Sequence, residues 1–191
     1  MIEAGDIALV LLAAGRAERF GGDKLGAMLA GRTVLDHVLA ALAPLEVGHR
    51  FAVVRPGRAR IAGYEMIEAA DPGAPQSRSL GLGVAAAQAA GARAVLVALA
   101  DMPLVPTSHL RALIAAFASD RAASSGAGTT MPPAIFGARH FAALRALTGD
   151  RGAGTLLAGA ETIALPVGAE IDIDRPEDLA LAERYLARRA R

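Results

Sequence analysis

Ile7-Ala8-Leu9-Val10-Leu11-Leu12-Ala13-Ala14-Gly15-Arg16-Ala17-Glu18-Arg19-Phe20-Gly21-Gly22-Asp23-Lys24 is the stretch whose reading decides the fold. Ile7 to Leu12 is an unbroken apolar run of strand length, as expected of a strand buried on both faces in a parallel sheet. The run gives way to the small residues Ala13, Ala14 and Gly15, then to Arg16, Arg19, the Gly21-Gly22 pair and Lys24. Small side chains leave main-chain N–H groups uncovered, glycines permit unusual dihedrals, and the cations neutralise charge. The simplest reading is a phosphate-bearing ligand held at the end of the first strand. The alternative is an ordinary strand-to-helix loop with solvated basic residues.

Two common nucleotide fingerprints, G-x-x-x-x-G-K-[ST] and G-x-G-x-x-G, do not fit this spacing. The 191 residues provide for one domain with a real core, and the net charge of +1 comes from interspersed signs without a basic stripe. That argues against nucleic acid as the main partner. The absence of cysteine excludes disulfides and thiolate metal sites. No apolar run approaches the ~18 residues a membrane helix needs. Glu3 and Asp6 stand where a secretory signal would carry basic residues, so a soluble cytoplasmic protein with no membrane partner is expected.

Outward from the first stretch, Val34, Leu35, Val38, Leu39 and Leu42 recur at helical spacing and Pro44 closes that helix. Phe51 to Val54 reads as a short buried strand stopped by Pro56-Gly57, and Tyr64 to Ile67 as another; residues 71–75 form a loop. An alanine-rich helix opens around Ser77 to Gly83, with Ser79 and Leu80 at its start, and ends near Gly91. Ala94 to Ala100 is the second strongly apolar run, ending at Asp101-Met102-Pro103. Thr107 or Ser108 can cap a helix with a stripe of Leu110, Leu113, Ile114 and Phe117. Ser124 to Pro133 reads as a small, polar, mobile segment, followed by a strand at Ala134 to Phe136 and a helix through Phe141, Leu144 and Leu147. A loop covers 148–154, a short helix follows, strands are expected at Thr162 to Leu165 and Glu170 to Ile173, and the last helix starts at Pro176. Strands alternating with helices predict a mostly parallel sheet covered on both faces.

In such a sheet ligands gather at the carboxyl ends of the strands, so topology places the Gly15 loop and Asp101 on one rim. Asp101 follows a run with no charge, and beside a phosphate-rich rim its carboxylate suits a hard cation, magnesium in the first instance. The plainer alternative is a cap for the turn before Pro103. Asp172 and Asp174 alternate with Ile171 and Ile173, so both acids point to one face. Asp172 is read as solvated, and Asp174 can equally serve as the N-cap of the helix beginning at Pro176. A helix start at Ser79 and Leu80 would bring free N–H groups and a hydroxyl together, as a site or as a simple cap. His37, His49, His109 and His140 lack ligand spacing and read as surface or partly packed.

The first stretch resembles the L-A-A-G-x-S-x-R-x-G-x-x-K signature of the nucleotidyltransferases that include the molybdenum cofactor cytidylyltransferases. Leu12, Ala13, Ala14, Gly15, Arg19, Gly21 and Lys24 match, and Ala17 replaces the serine. The resemblance implies an α/β, three-layer Rossmann-like fold with a mostly parallel mixed sheet, in one domain over residues 1–191. It also implies that Leu12 to Gly15, Arg19, Lys24, Ser79, Leu80, Gly83 and Asp101 bind nucleotide, with Arg19, Lys24 and Asp101 catalytic. Asp174-Arg175-Pro176-Glu177-Asp178-Leu179 resembles the family's Asp-Thr-Pro-Glu-Asp-Leu ending, which makes Asp174 a second ligand, with Asp101, for Mg2+. Leu-Ala-Ala-Gly in the first loop and Ser-Leu-x-x-Gly at Ser79, Leu80 and Gly83 resemble the CTP-using members, whereas GTP-using relatives more often show Leu-Ala-Gly-Gly. Gly149-Asp150-Arg151-Gly152-Ala153 resembles the stretch near the acceptor pocket, assigning Asp150, Arg151 and Gly152 to acceptor binding; Met131-Pro132-Pro133 departs from the expected Gly-His-Pro.

The activity so implied is Mg-dependent transfer of CMP from CTP to the terminal phosphate of molybdopterin, with release of pyrophosphate. Transient contact with a molybdoenzyme or its chaperone would follow. Rival readings are a guanylyltransferase on the same cofactor, a sugar-phosphate nucleotidyltransferase, and a non-catalytic nucleotide-binding chaperone for molybdoenzyme maturation. Asp101, Asp174 and Lys24 speak against the last, because binding alone does not need paired acids for a metal.

Overall fold

A computed structural model describes residues 2–15, 19–71, 75–118, 120–149 and 153–189. The strands are β1 (Ile7–Ala13), β2 (Met28–Leu29), β3 (Arg32–Thr33), β4 (His49–Val54), β5 (Glu65–Glu68), β6 (Ala94–Leu99), β7 (Arg121–Gly126), β8 (Thr129–Gly137) and β9 (Glu161–Ala164). The helices are α1 (Val34–Leu42), α2 (Gln76–Ala89), α3 (Thr107–Ala116), α4 (Phe141–Arg145) and α5 (Pro176–Arg189). Seven strands form one sheet in the order β5-β4-β1-β6-β8-β7-β9, and β2 pairs with β3 in a separate small hairpin. The pairings make β8 the strand that runs against the other six, so the sheet is mixed but mostly parallel.

β1 is central because every one of its seven residues is buried. A strand with apolar groups on both faces must be covered on both. Ile7, Leu9, Leu11 and Ala13 face a core shared with α1, α3 and α5. Ala8, Val10 and Leu12 face a second core shared with α2 and α4. Helices thus cover both faces in three layers. In register, Leu12 sits beside Val53 of β4 and Leu99 of β6, so the chain leaves all three strands at one rim.

Local chemistry sets the helix boundaries. Thr33 caps α1 by accepting a hydrogen bond from the Asp36 amide, and the Asp36 carboxylate accepts in return from the Thr33 amide. α2 starts at Gln76 with Pro75 as its N-cap, three residues before the expected start at Ser79. Ser79 and Leu80 therefore lie buried within the helix rather than offering free amides at its end. Proline at 75 has the extended backbone a cap needs and no N–H to leave unsatisfied. Likewise Pro106, not Thr107 or Ser108, precedes the first turn of α3, and the Thr107 hydroxyl donates to the Ala41 carbonyl.

The segment Ser124 to Pro133 is not a free loop but most of the β7–β8 hairpin. Its small residues let the strands pack closely, and Ser124 is fully buried. The Ser124 hydroxyl bridges the Pro133 carbonyl, 2.7 Å away, and His109 Nε2, 2.8 Å away. His109 is thus buried, against the expectation of a surface or partly packed histidine. Burial pushes its pKa below 6.5, outweighing a hydrogen bond to the Ala164 backbone that acts the other way. No strand forms at 170–173: Glu170 ends a turn, and 171–173 are irregular chain outside the sheet. Among the described residues, no helix is long and apolar enough to cross a membrane.

Candidate active site

The rim where β1, β4 and β6 end carries the candidate site. After β1 the chain passes from buried Leu12 and Ala13 through half-buried Ala14 to exposed Gly15. Arg55, the first residue beyond β4, braces this turn: its Nε donates to the Ala14 carbonyl at 3.3 Å and its Nη2 to the Gly15 carbonyl. With the carbonyls so engaged, the peptide edges of the turn have a fixed orientation. Gly21, at φ 75°, takes a turn that other residues rarely adopt and returns the chain toward Lys24.

Lys24 is 6% exposed, unusual for an ammonium and tolerable only with counter-charges. Its Nζ donates to Asp101 Oδ2 at 2.7 Å and lies 3.7 Å from Asp174 Oδ1. Arg19 Nη1 donates to the other Asp174 oxygen at 2.8 Å. Four residues from three distant parts of the chain thus meet as one cluster, with the two acids on a shared lysine. Asp101 stands two residues past the end of β6, and the intervening Ala100 amide donates to the Leu12 carbonyl of β1 at 3.0 Å. Asp174 is brought in because the Ile173 amide donates to the Asp101 carbonyl at 2.8 Å while the Ile173 side chain is fully buried.

The N-cap alternative for Asp174 is excluded by the helix start itself. Asp178 accepts from the Asp174 amide at 3.0 Å and the Arg175 amide at 2.7 Å, capping α5 and leaving the Asp174 carboxylate for the cations. The hydrogen bond from Arg19 holds the Asp174 carboxyl below the usual carboxylate range; partial burial opposes this, and Lys24 reinforces it. Asp172 is exposed but stands close enough to the cluster to feel its charges. Desolvation pushes its carboxyl up, as do Asp101 and then Asp174, while Lys24 partly offsets them.

Beside this cluster lies a cavity of about 290 Å³ whose lining includes Gly15, Lys24, Arg55 and Arg58. Asp23, also in the lining, pairs with Arg58 at 3.2 Å. Arg55 and Arg58 were not singled out from the sequence, although a signal was there. Arg55 follows the strand ended by Pro56-Gly57, and that strand's carboxyl end lies on the ligand rim.

The donor set bears on what the acids can hold. Asp101 Oδ1 is buried and has no hydrogen-bond partner, so that carboxylate has acceptor capacity to spare. Among the described residues no group of three or more His, Asp or Glu is placed to hold a metal by itself. Two carboxylates beside a cavity lined by Lys24, Arg55 and Arg58 suit a hard cation that completes its shell with anionic ligand oxygens and water, as magnesium does. The residues present therefore fit a divalent metal at Asp101 and Asp174.

Three expected site residues are accounted for otherwise. Ser79 and Leu80 lie within α2, as above. A Cβ on Gly83 would stand 2.4 Å from Val10 Cγ1 and 3.2 Å from Val53 Cγ2, so this glycine is what lets α2 close on β1 and β4. Packing explains Gly83 without a nucleotide. Asp150, Arg151 and Gly152 lie outside the described residues.

The fold matches that of solved structures at identities that speak to architecture alone. A crystal structure of the Rv0371c homologue from Mycobacterium sp. strain JC1 aligns with TM-score 0.82 and 21% identity over 97% of this chain and 99% of that one. Rv0371c of Mycobacterium tuberculosis H37Rv, in complex with manganese, aligns with TM-score 0.74 and 21% identity over 93% and 98%. In sequence, the purine catabolism protein PucB of Bacillus subtilis is 31% identical, covering 93% of this chain and 96% of PucB. A probable molybdenum cofactor guanylyltransferase of Deinococcus radiodurans is 31% identical over 89% of this chain and 90% of its own length. Residues 9–164 match the MobA-like NTP transferase domain, and the chain belongs to that family of nucleotidyltransferases.

Proposed function

We propose that the protein transfers CMP from CTP to the terminal phosphate of molybdopterin, releasing pyrophosphate. The observation that carries the reading is the convergence of Asp101 and Asp174 on Lys24 beside the Arg55-braced turn after β1. The turn from Ala13 to Gly15 and the adjoining cavity receive the triphosphate. Lys24 and Arg19 neutralise its charge and that of the departing pyrophosphate. Asp101 and Asp174 would hold Mg2+, which when bound supplies further neutralisation of the phosphates and aligns them.

The acceptor is a phosphate monoester, already an anion at neutral pH, so no general base has to remove a proton. This agrees with where the histidines lie. The His140–Asp120 pair flanks the ends of β7 and β8 that adjoin the start of β6, the rim opposite the cluster. His109 is locked into the β7–β8 hairpin through Ser124. Catalysis is then positioning and charge stabilisation, the pattern expected of phosphoryl-group chemistry. Acceptor contacts are assigned to Asp150, Arg151 and Gly152 on the family resemblance.

The choice of CTP rests on Leu12-Ala13-Ala14-Gly15 and on Ser79-Leu80 with Gly83, and the packing role of Gly83 leaves the first loop as its stronger support. A second reading, GTP on the same acceptor, is favoured by the Deinococcus relative, which is named a guanylyltransferase. Pyrophosphate release measured with each nucleoside triphosphate, Mg2+ and purified molybdopterin separates the two. CTP should support turnover at least tenfold faster than GTP; the reverse order assigns GTP, and silence with all nucleotides refutes the transferase reading.

A further inference from the structure

We infer that Lys24 is an internal counter-cation that keeps Asp101 and Asp174 from taking a divalent ion until a nucleotide triphosphate draws the ammonium away. The inference rests on the transferase reading and concerns the order in which that site fills. Two observations carry it. First, Lys24 Nζ lies 2.7 Å from Asp101 Oδ2 and 3.7 Å from Asp174 Oδ1, so one ammonium sits against both carboxylates that would ligate metal, with Arg19 as the second cation, on Asp174. Second, the same side chain lines the 290 Å³ cavity together with Arg55 and Arg58.

A divalent ion entering beside a buried ammonium meets a like charge within a few ångströms, in surroundings that screen poorly. The lysine is 8% exposed at its side chain, so it cannot relax far into water. A triphosphate in the cavity offers oxygens that bind the ammonium instead, and its departure from the acids removes the repulsion. Arg19 holds the other Asp174 oxygen at 2.8 Å from a side chain that is 69% exposed, where solvent screens its charge toward an incoming ion more than that of buried Lys24. Metal and nucleotide then assist each other's binding by the same factor, as linkage requires.

The test is equilibrium binding of Mn2+, read by the electron paramagnetic resonance of the free ion, to the full chain without acceptor. Wild type, Lys24→Met and Lys24→Met/Asp101→Asn are compared with and without CTP. Without nucleotide, Lys24→Met should bind Mn2+ at least tenfold more tightly than wild type. CTP should tighten wild-type binding and narrow that gap, and the added Asp101→Asn change should abolish the tight binding. Equal affinities of wild type and Lys24→Met without nucleotide overturn the inference, as does tight binding that survives Asp101→Asn. If Lys24→Met does not fold, Lys24→Gln, which keeps a polar end near Asp101, carries the same comparison. Pyrophosphate release by wild type on the same preparations keeps the two ideas apart. Turnover with equal Mn2+ affinities sinks the counter-cation and spares the transferase, whereas absence of turnover with every nucleotide sinks the transferase.

Discussion

Gly83→Ala decides whether that glycine serves packing or nucleotide binding, because the two roles predict opposite readouts. The added methyl would lie 2.4 Å from Val10 Cγ1 and 3.2 Å from Val53 Cγ2. Favourable carbon–carbon contacts sit at about 3.5–4.0 Å. The first contact is therefore more than an ångström too close, and β1 is the most enclosed strand of the sheet. Overpacking of this kind costs ~1–3 kcal/mol. Alanine recovers up to ~1 kcal/mol of helix propensity over glycine. A contact this short belongs at the upper end of that range, so a net loss of about 2 kcal/mol follows, or a fall in Tm of roughly 4–8 °C for a chain of this size. Urea and thermal unfolding of Gly83→Ala, Val10→Ala and the double variant form a cycle in which Val10→Ala should relieve at least ~0.5 kcal/mol of the clash. The KM for the nucleotide, measured well below the melting temperature, should stay within twofold of wild type. Unchanged stability with a raised KM would refute the packing argument and return Gly83 to the nucleotide.

Asp101→Asn should reduce turnover by about a hundredfold or more while the fold survives, since electrostatic stabilisation of a transferring phosphate is the main catalytic term; a variant within fivefold of wild type would remove Asp101 from the metal role. Arg55→Lys cannot brace both the Ala14 and Gly15 carbonyls with a single ammonium, so the nucleotide KM should rise about tenfold with kcat largely kept, and an unchanged KM would show the brace to be dispensable. Asp178→Ala removes the cap of α5 and should cost ~1 kcal/mol in urea unfolding, with Asp178→Asn recovering part of it. His109 is held below its ordinary pKa of 6.5 by burial, so below pH 6.5 the unfolded chain binds the extra proton first. Stability should therefore fall as pH drops from 6.5 toward the lower folded pKa, by at most ~1.4 kcal/mol per pH unit from this group. Unfolding at pH 7, 6 and 5 should show a shallower decline in His109→Gln, and identical slopes would show that His109 is not the group responsible.

How much could be read from the chain alone depended on how local the physics was. The apolar runs at Ile7 to Leu12 and Ala94 to Ala100 read as buried parallel strands because each is uniformly apolar, of strand length and ended by turn-forming residues. The alternation of Asp172 and Asp174 with Ile171 and Ile173 predicts a strand with both acids on one face; the segment is irregular chain outside the sheet, with Ile173 buried and Asp172 exposed. Ser124 to Pro133 misled because small polar residues look loop-like until a partner is seen; Ser124 is buried only because His109 and Pro133 satisfy its hydroxyl. The start of α2 was misplaced because Pro75 caps it through backbone shape, with no side-chain signal.

The same division runs through the site. A strand followed by Ala13-Ala14-Gly15, and an aspartate directly after a second strand, were determined by the sequence, since strand direction alone puts both at one rim. That Lys24 lies between Asp101 and Asp174, that Arg55 grips the turn, and that Gly83 makes room for Val10 were decided only by tertiary structure. A residue's periodicity records which face it occupies, but the distance between charges far apart along the chain is set by how the layers pack.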